Sequence, residues 1–430
     1  MSRVADVESG GTEHPLLEPQ PPIPLSAPFP EETFALAVSP GMSRGFLVEP
    51  VTQTLAELIR LNSVNPEWGG PGEGAVAAVV KDFFQRAAIE VWEEAVLPGR
   101  SNVMARLPGD DPRRRVVLEA HMDTVSAKAM AMDPFDPVIE SNRMRGRGSC
   151  DVKAGLAAMM HALRDVKAAG RKPPCEIVLA AVVDEEHLFR GVVSLVESLG
   201  RGSAAEAAVV AEPTGLRVVR ANKGVVRWRV VTKGKACHSS QPNRGQNAIA
   251  GMARVVLALQ EHFASLECSP HALLGAATGS IGTIEGGTQV NFVPDRCEIK
   301  IDRRLLPGES APHVLAQCEE VLRGLRMENP RLLVTMEPPD LVDEAMETPA
   351  GAEVVQVATR IADRLGLDGN PIGVPFGCDS TKLSRAGIPS IVFGPGSIDR
   401  AHTPEEYVEL DQVETAVEFY RRFVLEFWGA

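Results

Sequence analysis

The chain has 430 residues, 44% of them hydrophobic and 23% charged, which is enough to form two domains with sizeable cores. Its 57 acidic residues outnumber its 44 basic residues and give a net charge of −13, which disfavours nucleic acid and anionic membrane as partners. No apolar run approaches the roughly 20 residues that a transmembrane helix requires. The seven cysteines are scattered and odd in number, which predicts reduced thiols and a cytoplasmic location.

The N-terminal region is rich in proline and acidic residues and lacks the continuous apolar segment of an export signal. We therefore expect residues 1–44 to form a disordered leader and order to begin near Gly45. The next two segments, "VTQTLAELIRLNSV" and "EGAVAAVVKDFFQRAA", are predicted helices, the first from apolar residues at roughly helical spacing.

Short apolar segments typical of strands follow, and a helix lies between the first two. The strand-like segments are "RRVVLEA", "EIVLAAVV", "AAVVAE" and "SIVFG", and the helix is "VKAGLAAMMHALRDVKAAG". This alternation predicts an α/β fold in which helices flank a mostly parallel central sheet. Ligands of such sheets bind beyond the carboxyl ends of the strands, and polar residues follow these segments.

The pattern changes between about residues 216 and 337. Segments such as "RVVRANKGVVRWRVVTKGKA" and "RCEIKIDRRL" alternate like strands, and two helical stretches separate them. The order β-α-β-β-α-β predicts a small α+β domain inserted into a larger one. We therefore expect a larger domain in two parts, residues 45–215 and 338–430, and an inserted domain, the lid, at residues 216–337.

A set of polar residues stands at the predicted strand ends or at the start of the helix. These residues are His121, Asp123, Asp151, Glu185, Glu186, Glu212 and His402. A single histidine near a strand end is more often a hydrogen-bonded structural residue than a ligand, but the combination indicates a metal site. Mixed imidazole and carboxylate ligands suit zinc or a similar divalent ion, whereas calcium prefers oxygen ligands alone.

The charge of this set favours two ions. Its five carboxylates would repel each other in one crevice unless cations lay among them. Two divalent ions about 3.5–4 Å apart, bridged by one carboxylate, would balance this charge. Asp123 follows His121 by two residues, so both side chains point the same way in an extended segment. We expect the carboxylate of Asp123 to orient the imidazole.

Several motifs occur in a fixed order along the chain, from "EAHMDTV" through "GRGSCDVKAGLAAM", "VVDEEHLFRGV", "VVAEPTG", "GKACHSSQPNRGQNAI" and "NFVPDRCEIKIDRRLLPGE" to "GPGSIDRAHTPEEYVEL". The sequence resembles the acetylornithine deacetylase and succinyl-diaminopimelate desuccinylase family, which are dinuclear zinc amidohydrolases related to aminoacylase and glutamate carboxypeptidase. The resemblance extends from about Val51 to Phe427 and leaves out only the predicted leader.

The resemblance implies two zinc ions per chain, for which cobalt can substitute. Asp151 is expected to bridge the two ions. His121 and Glu212 would complete the ligands of one ion, and Glu186 and His402 those of the other.

The resemblance also separates the tasks of the two adjacent glutamates. Glu185 is expected to be the general base, which takes a proton from the attacking water and passes it to the leaving amine. Alternation along an extended segment points the side chains of Glu185 and Glu186 in different directions, so one can bind metal while the other faces the water.

Further residues are implied by the resemblance to act on the substrate. His238 would stabilise the tetrahedral oxyanion, reaching across a dimer interface. Asn291 and Arg304 would hold the substrate, and the guanidinium of Arg304 suits a bidentate grip on an α-carboxylate. Gly394 and Gly396 form a tight loop in which the backbone could approach a ligand, although a plain turn explains these glycines nearly as well.

Two segments depart from the family pattern. "DEEHLFRGV" has bulky residues after the glutamate pair, and "DTVSAKAMAMDPF" lacks a tryptophan that is common in relatives. These segments could shape a pocket for a group that is bulkier or more apolar than ornithine. The segments "GRGSCD" and "AEPT" favour the deacetylase branch over the desuccinylase branch.

We therefore predict a zinc amidohydrolase that acts on an N-acyl-amino acid or a short peptide, as a homodimer formed through residues 216–337. The alternative is a dipeptidase or carboxypeptidase with the same machinery. A non-catalytic metal- or peptide-binding relative would lack a ligand or the base, and none is missing. A nicotinamide-dependent oxidoreductase is excluded because no G-x-G-x-x-G follows the first strand. The sequence leaves open the acyl group, the amino acid and the native metal.

Overall fold

The computed structural model of the protein describes residues 50–200 and 205–429. The predicted leader, residues 1–44, lies outside the described residues. Among the described helices, none is long and apolar enough to cross a membrane.

The strands of this part of the chain are short to medium in length. They are β1 (Glu90–Leu97), β2 (Arg100–Leu107), β3 (Asp111–His121), β4 (Val138–Glu140), β5 (Arg143–Arg145), β6 (Cys175–Val182), β7 (Ala207–Val210), β8 (Val219–Asn222), β9 (Gly224–Lys233), β10 (Cys237–His238), β11 (Thr278–Gly286), β12 (Phe292–Val293), β13 (Arg296–Leu305), β14 (Leu333–Met336), β15 (Leu341–Asp343), β16 (Met346–Glu347), β17 (Ile372–Val374), β18 (Ser390–Val392) and β19 (Tyr407–Glu409).

The α-helices lie between and around these strands. They are α1 (Pro50–Arg60), α2 (Gly74–Arg86), α3 (Lys153–Ala168), α4 (Arg190–Gly200), α5 (Ala248–Ser265), α6 (Ala311–Glu328), α7 (Glu353–Arg364), α8 (Ser380–Arg385) and α9 (Leu410–Glu426).

The largest sheet has nine strands in the order β1-β2-β6-β3-β7-β18-β8-β16, with β17 beside β8. Its centre is parallel, because β3 pairs in parallel with β6 and β7, and β7 pairs in parallel with β18. Strands β1, β2 and β16 join the sheet in antiparallel pairings. The predicted α/β fold is confirmed, and the antiparallel strands at the two edges make the sheet a mixed one.

Helices cover both faces of this sheet. Every residue of β6 is buried, as expected for a strand between two helical layers. On one face, Val178 and Val182 of β6 belong to an apolar cluster with residues of α4 and α8. Elsewhere α9 packs against α3, and Phe419 of α9 stacks on Phe393, just after β18, with ring centroids 3.6 Å apart. These contacts fix the carboxyl ends of the parallel strands in a rigid frame.

A second sheet forms the separate domain that the sequence predicted. It has five strands, in the order β11-β13-β9-β14 with β15 beside β9. Alternate residues of β13 are buried and pack against α5 and α6 in one apolar cluster. The main elements follow the predicted order β-α-β-β-α-β, with three short additional strands, β10, β12 and β15.

The chain passes between the two sheets at two neighbouring points. Lys223 alone separates β8 of the large sheet from β9 of the small one, and residues 344–345 separate β15 from β16. The small sheet therefore spans residues 224–343, whereas the sequence placed the boundaries of the lid at 216 and 337. The two N-terminal boundaries differ because β8 and β9 read as one nearly continuous strand in the sequence. The pattern of residues does not show that β8 belongs to the large sheet and β9 to the small one.

The parallel strands bring the polar residues of the sequence motifs to one edge of the large sheet. Strand β3 ends at His121, β6 ends shortly before Glu185, and β7 ends two residues before Glu212. Because these strands run in the same direction, their carboxyl ends lie side by side.

A buried lysine begins the helix that follows the turn at Asp151. Lys153 is fully buried as the first residue of α3, and its Nζ donates a hydrogen bond to the carbonyl oxygen of Leu61 at 2.8 Å. Burial lowers the pKa of Lys153 from 10.5 to about 7. The folded protein therefore binds fewer protons at this site than the unfolded chain between pH 7 and 10.5.

This difference predicts how the wild-type protein compares with Lys153→Met as the pH rises. The free energy of unfolding of the wild type should increase relative to the variant between pH 7 and 10, by up to about 1.4 kcal/mol per pH unit. Urea unfolding of both proteins at several pH values measures the difference. Lys167→Met, which replaces an exposed lysine of the same helix, serves as the control. A difference that stays constant with pH for Lys153→Met would contradict the prediction.

Candidate metal centre

Two groups of potential metal ligands lie at the carboxyl edge of the large sheet. One group is His121, Asp151 and Glu212, and the other is Asp151, Glu186 and His402. Within each group the ligand atoms lie within 4.8 Å of one another. Asp151 is common to both groups, so the structure brings together all five residues that the sequence assigned to metal binding.

The carboxylate of Asp151 faces a different histidine with each of its oxygens. Its Oδ1 lies 3.0 Å from Nε2 of His121, and its Oδ2 lies 3.2 Å from Nε2 of His402. Nε2 of His402 is also 3.1 Å from Oε1 of Glu186. Each oxygen of Asp151 therefore faces the histidine of one of the two groups.

The two sides of the site differ in their exposure to solvent. His121, Asp151 and Glu212 are all buried, with at most 6% of each residue exposed. The side chain of His402, in contrast, is 50% exposed. The half of the site that contains His402 and Glu186 therefore forms the open side.

The electrostatics of the cluster show excess negative charge. Burial and the neighbouring carboxylates raise the pKa values of Glu185 and Glu212 well above their ordinary range. Burial lowers the pKa of His121, but its hydrogen bond to Asp151 and the charges of nearby carboxylates outweigh this effect and raise it well above the usual value. A cation is thus favoured here, since it would replace protons that the cluster otherwise holds.

The donor set fits a pair of divalent cations. Each group offers one imidazole nitrogen together with carboxylate oxygens, which is the mixture that zinc and similar ions accept. Three protein ligands per ion also leave a coordination position open, as catalytic sites require.

A buried glutamate that the sequence analysis missed holds the turn that carries Asp151. The carboxylate of Glu406 is fully buried and accepts hydrogen bonds from the backbone N–H groups of Cys150 (2.9 Å) and Asp151 (3.1 Å). It also accepts from the N–H of Gly148 and pairs with Arg147 at 2.6 Å. These four donors offset part of the cost of burying the carboxylate, although burial still raises the pKa of Glu406 above its usual value. Glu406 lies within the motif of His402, but its burial was not evident from the sequence.

Asp123 contacts His121 in a different way from the one predicted. Nδ1 of His121 donates a hydrogen bond to the backbone carbonyl oxygen of Asp123 at 3.0 Å, whereas the carboxylate of Asp123 is 3.6 Å away. That carboxylate instead accepts hydrogen bonds from the N–H groups of Glu185 (3.2 Å) and Glu186 (3.3 Å). The main chain of Asp123 thus orients the imidazole, and its side chain holds the glutamate pair.

Glu185 lies beside the cluster but belongs to neither group of ligands. It is 8% exposed, and its backbone is held by Asp123. Other residues around this turn were not expected from the sequence. They are Asn65, Glu73, Arg100 and Asp184, which form a buried hydrogen-bonded network.

The glycine loop after β18 approaches the metal centre closely. A Cβ on Gly394 would lie 2.6 Å from the backbone oxygen of Glu212. Gly396 has φ of +85°, and a Cβ there would lie 2.6 Å from Sγ of Cys150. Glycine is therefore required at both positions by packing against the residues that carry the ligands. Substrate contact by this loop stays a prediction.

The predicted substrate-binding residues of the lid lie on the small sheet and the loops beside it. His238 is exposed and its Nδ1 is 2.7 Å from Oγ of Ser240. The next residue, Ser239, donates its N–H to the carbonyl oxygen of Asn291 at 3.0 Å. Arg304 pairs with Asp302 at 2.8 Å and its side chain is 31% exposed. Within residues 50–200 and 205–429, no hydrogen bond or ion pair joins these three residues to the carboxylate cluster.

Known proteins share both the sequence pattern and the fold. The chain is 32% identical over 322 residues to an acetylornithine deacetylase of Myxococcus xanthus, a match that covers 74% of this chain and 81% of the relative. It is 26% identical over 369 residues to an N-formyl-4-amino-5-aminomethyl-2-methylpyrimidine deformylase of Bacillus subtilis, covering 79% and 84% of the two chains. The crystal structure of aminopeptidase PepT from Bacillus cereus has a similar fold, with a TM-score of 0.72 and 22% identity over 88% of this chain and 98% of the other.

The match to a family is equally extensive. The sequence model described as peptidase family M20/M25/M40 matches residues 117–426. This range contains both groups of metal ligands, the glutamate pair and the whole inserted domain. The chain therefore belongs to peptidase family M20/M25/M40 and is a metal-dependent hydrolase that acts on amide bonds.

Proposed function

We propose that this protein is a zinc-dependent amidohydrolase that removes the acyl group from an N-acyl-amino acid, with Glu185 as the general base. One observation carries the proposal: Asp151 is shared by two ligand groups, and Glu185 lies beside them without belonging to either. The similarity to acetylornithine deacetylases at up to 32% identity supports the choice of an acyl group over a peptide. Zinc as the native metal and a cytoplasmic location are part of the proposal.

The metal ligands define what the site could do with a substrate carbonyl. When bound, two divalent cations supply Lewis acidity, which polarises a carbonyl and makes water a better nucleophile. His121 and Glu212 would hold one cation, His402 and Glu186 the other, and Asp151 would be bound to both. The exposure of His402 places the open side of this arrangement toward solvent, from which a substrate would arrive.

Glu185 would move the protons of the reaction. Its carboxylate takes a proton from the attacking water and delivers it to the nitrogen of the leaving amine as the carbon–nitrogen bond breaks. Burial and nearby carboxylates raise the pKa of Glu185, which favours a group that must hold a proton between these two steps. Asp123 keeps this side chain in place by accepting the N–H of Glu185.

The lid would bind the rest of the substrate. The guanidinium of Arg304 offers a planar pair of donors for an α-carboxylate, with Asn291 as a further polar contact. His238 would donate to the oxyanion of the tetrahedral intermediate. The exposure of His238 and its distance in the sequence from the metal ligands suit a residue that completes the site of a second subunit.

The lid also presents a surface suited to a homodimer. Strand β11 pairs only with β13, so its other edge is unpaired within the described chain. Exposed apolar side chains accompany this edge and its surroundings, namely Ile249, Leu257, Ile284, Val290 and Phe292. An exposed strand edge with apolar neighbours favours pairing with another chain.

A hydrolysis panel tests the proposed function. Zinc- or cobalt-loaded protein is assayed on N-acetyl, N-formyl, N-succinyl and longer N-acyl amino acids and on dipeptides with a free amine, with Glu185→Gln as the blank. We expect turnover of acyl amino acids alone, and a loss of about 100-fold or more in kcat for Glu185→Gln with its metal content unchanged. Turnover of dipeptides alone would place the protein among the peptidases. Loss of metal from Glu185→Gln would show that Glu185 is a ligand.

Two variants test the division of ligands between the two cations. Glu186→Ala should lose the cation that this residue shares with His402, whereas Glu212→Ala should lose the one that Glu212 shares with His121. Removal of one of three protein ligands weakens a metal site strongly. Elemental analysis after dialysis should give about one metal ion per chain for each variant instead of two. Two retained ions in either variant would contradict its assignment.

Mixed dimers test whether His238 acts on the other subunit. His238→Ala and Glu185→Gln are each expected to be inactive, but a hybrid dimer would contain one intact site. Equal mixing should therefore restore about one quarter of the wild-type activity, since half of the dimers are hybrids with one working site. Subunit exchange is verified by mass spectrometry of differently tagged chains. Absence of recovery after complete exchange would exclude this role of His238.

A further inference from the structure

Asn65 lies between two buried aspartates that flank the glutamate pair. It precedes the short 3-10 turn Pro66–Trp68 and is 1% exposed. Its Nδ2 donates a hydrogen bond of 2.7 Å to Oδ2 of Asp123 and a second of 3.0 Å to Oδ1 of Asp184. Both hydrogens of a single amide group therefore link the two carboxylates.

The remaining groups of Asn65 are fixed as well. Its Oδ1 accepts the N–H of Glu67 at 3.1 Å, which caps the 3-10 turn. Its backbone N–H donates to the carbonyl oxygen of Thr124 at 2.9 Å, and its carbonyl oxygen accepts from Trp68 at 3.0 Å. The side chain is thus anchored to the segment that follows β3 and has little freedom to turn away.

Asp184 is held from the opposite side. The guanidinium of Arg100 lies 3.1 Å from its carboxylate, and Arg100 is itself paired with Glu73. Glu73 also accepts the backbone N–H of Asp184 at 3.0 Å. Asp184 has φ of +67°, which is uncommon outside glycine although aspartate tolerates it better than most residues. These contacts fix the residue directly before Glu185.

Asp123 extends this support to the glutamates themselves. Its two carboxylate oxygens accept the N–H groups of Glu185 and Glu186, and Oδ2 shares its second interaction with Asn65. The peptide groups of the glutamate pair therefore depend on the position of the Asp123 carboxylate, and that position depends on Asn65. The neutral amide of Asn65 also donates one hydrogen bond to each of the two buried aspartates, which would otherwise repel each other.

We infer that Asn65 is a positioning residue for the reaction, which sets the orientation of Glu185 relative to the metal ligands by bridging Asp123 and Asp184. The inference rests on the proposed role of Glu185. Asn65 makes no contact with a metal ligand side chain among its hydrogen bonds in the described chain, so its effect is transmitted through the peptide groups of residues 184–186.

The test uses Asn65→Ser in the full, metal-loaded protein. Serine can still accept the N–H of Glu67 and keep the turn, but it is too short to bridge both aspartates. We expect two metal ions per chain and a KM within about twofold of the wild type, with kcat lower by about tenfold or more, because small misplacement of a catalytic group is costly. Asn65→Thr, which also keeps a hydroxyl acceptor for the cap and adds no charge between the two aspartates, should lower kcat similarly and carries the test if the serine variant does not fold.

A double variant separates positioning from a general loosening of the fold. In the Glu185→Gln background, Asn65→Ser should cause no further loss of kcat, because the group that it positions is already inactive. Asn102→Ala is the matched control. Asn102 is a fully buried asparagine that bonds to Val183 and Gly191 at the ends of the same loop and touches neither aspartate. We expect Asn102→Ala to lower the midpoint of thermal unfolding while kcat stays within about threefold of the wild type. Its small effect on kcat should be the same in the wild-type and Glu185→Gln backgrounds.

Three results would overturn the inference. They are a wild-type kcat in Asn65→Ser or Asn65→Thr, loss of metal from either variant, and an equal proportional loss of kcat by Asn65→Ser in the wild-type and Glu185→Gln backgrounds. Failure of the proposed function would be recognised separately, since Glu185→Gln would then retain full turnover whatever the effect of Asn65.

Discussion

The carboxylate of Asp151 presents one oxygen to His121 and the other to His402, and both groups of potential metal ligands depend on this arrangement. The carboxylate can do so only because the preceding turn is held rigidly. Glu406 provides this rigidity with a buried carboxylate that is satisfied by Arg147 and by backbone N–H groups on either side of the turn. The turn that carries Asp151 is thus supported by a second carboxylate, Glu406, whose charge is offset in part by Arg147 and three backbone N–H groups.

The acidic residues around the site fall into two groups, those with an arginine partner and those without one. Asp184 is paired with Arg100 and accepts a hydrogen bond from Asn65, and Glu406 is paired with Arg147. Among the described residues, the candidate ligand carboxylates and Glu185 have no cationic partner other than the two histidines, and burial together with neighbouring carboxylates raises the pKa values of Glu185 and Glu212. Buried negative charge without a partner is unfavourable, and it is concentrated where divalent ions would stabilise it. Metal affinity and structural support are therefore assigned to different acidic residues.

Much of this could be predicted from the sequence, because parallel strands place the residues that follow them at one edge. That rule found His121, Glu186 and Glu212 without any knowledge of distances. It could not find Asn65, which lies in a loop with no periodic pattern and whose only signal is an asparagine before a proline turn. It also could not show that the carbonyl oxygen of Asp123 accepts from His121 while its carboxylate accepts the N–H of Glu185, since this depends on where the turn at residues 184–186 lies in space. The change from the large sheet to the small one is equally hard to see in the sequence, because one residue divides β8 from β9.

The way in which the chain enters and leaves the lid affects how much the lid can change in sequence and length. The lid starts and ends at neighbouring points, and a Cβ on Gly224 would lie only 2.5 Å from the backbone nitrogen of Ala345. Strands β8 and β16, which flank the inserted segment, pair with each other in the large sheet. An inserted segment whose ends meet in this way imposes little entropic cost on closing the sheet, whatever its length. The lid can therefore be lengthened, reshaped or exchanged during evolution while the strand order that positions the metal ligands is preserved.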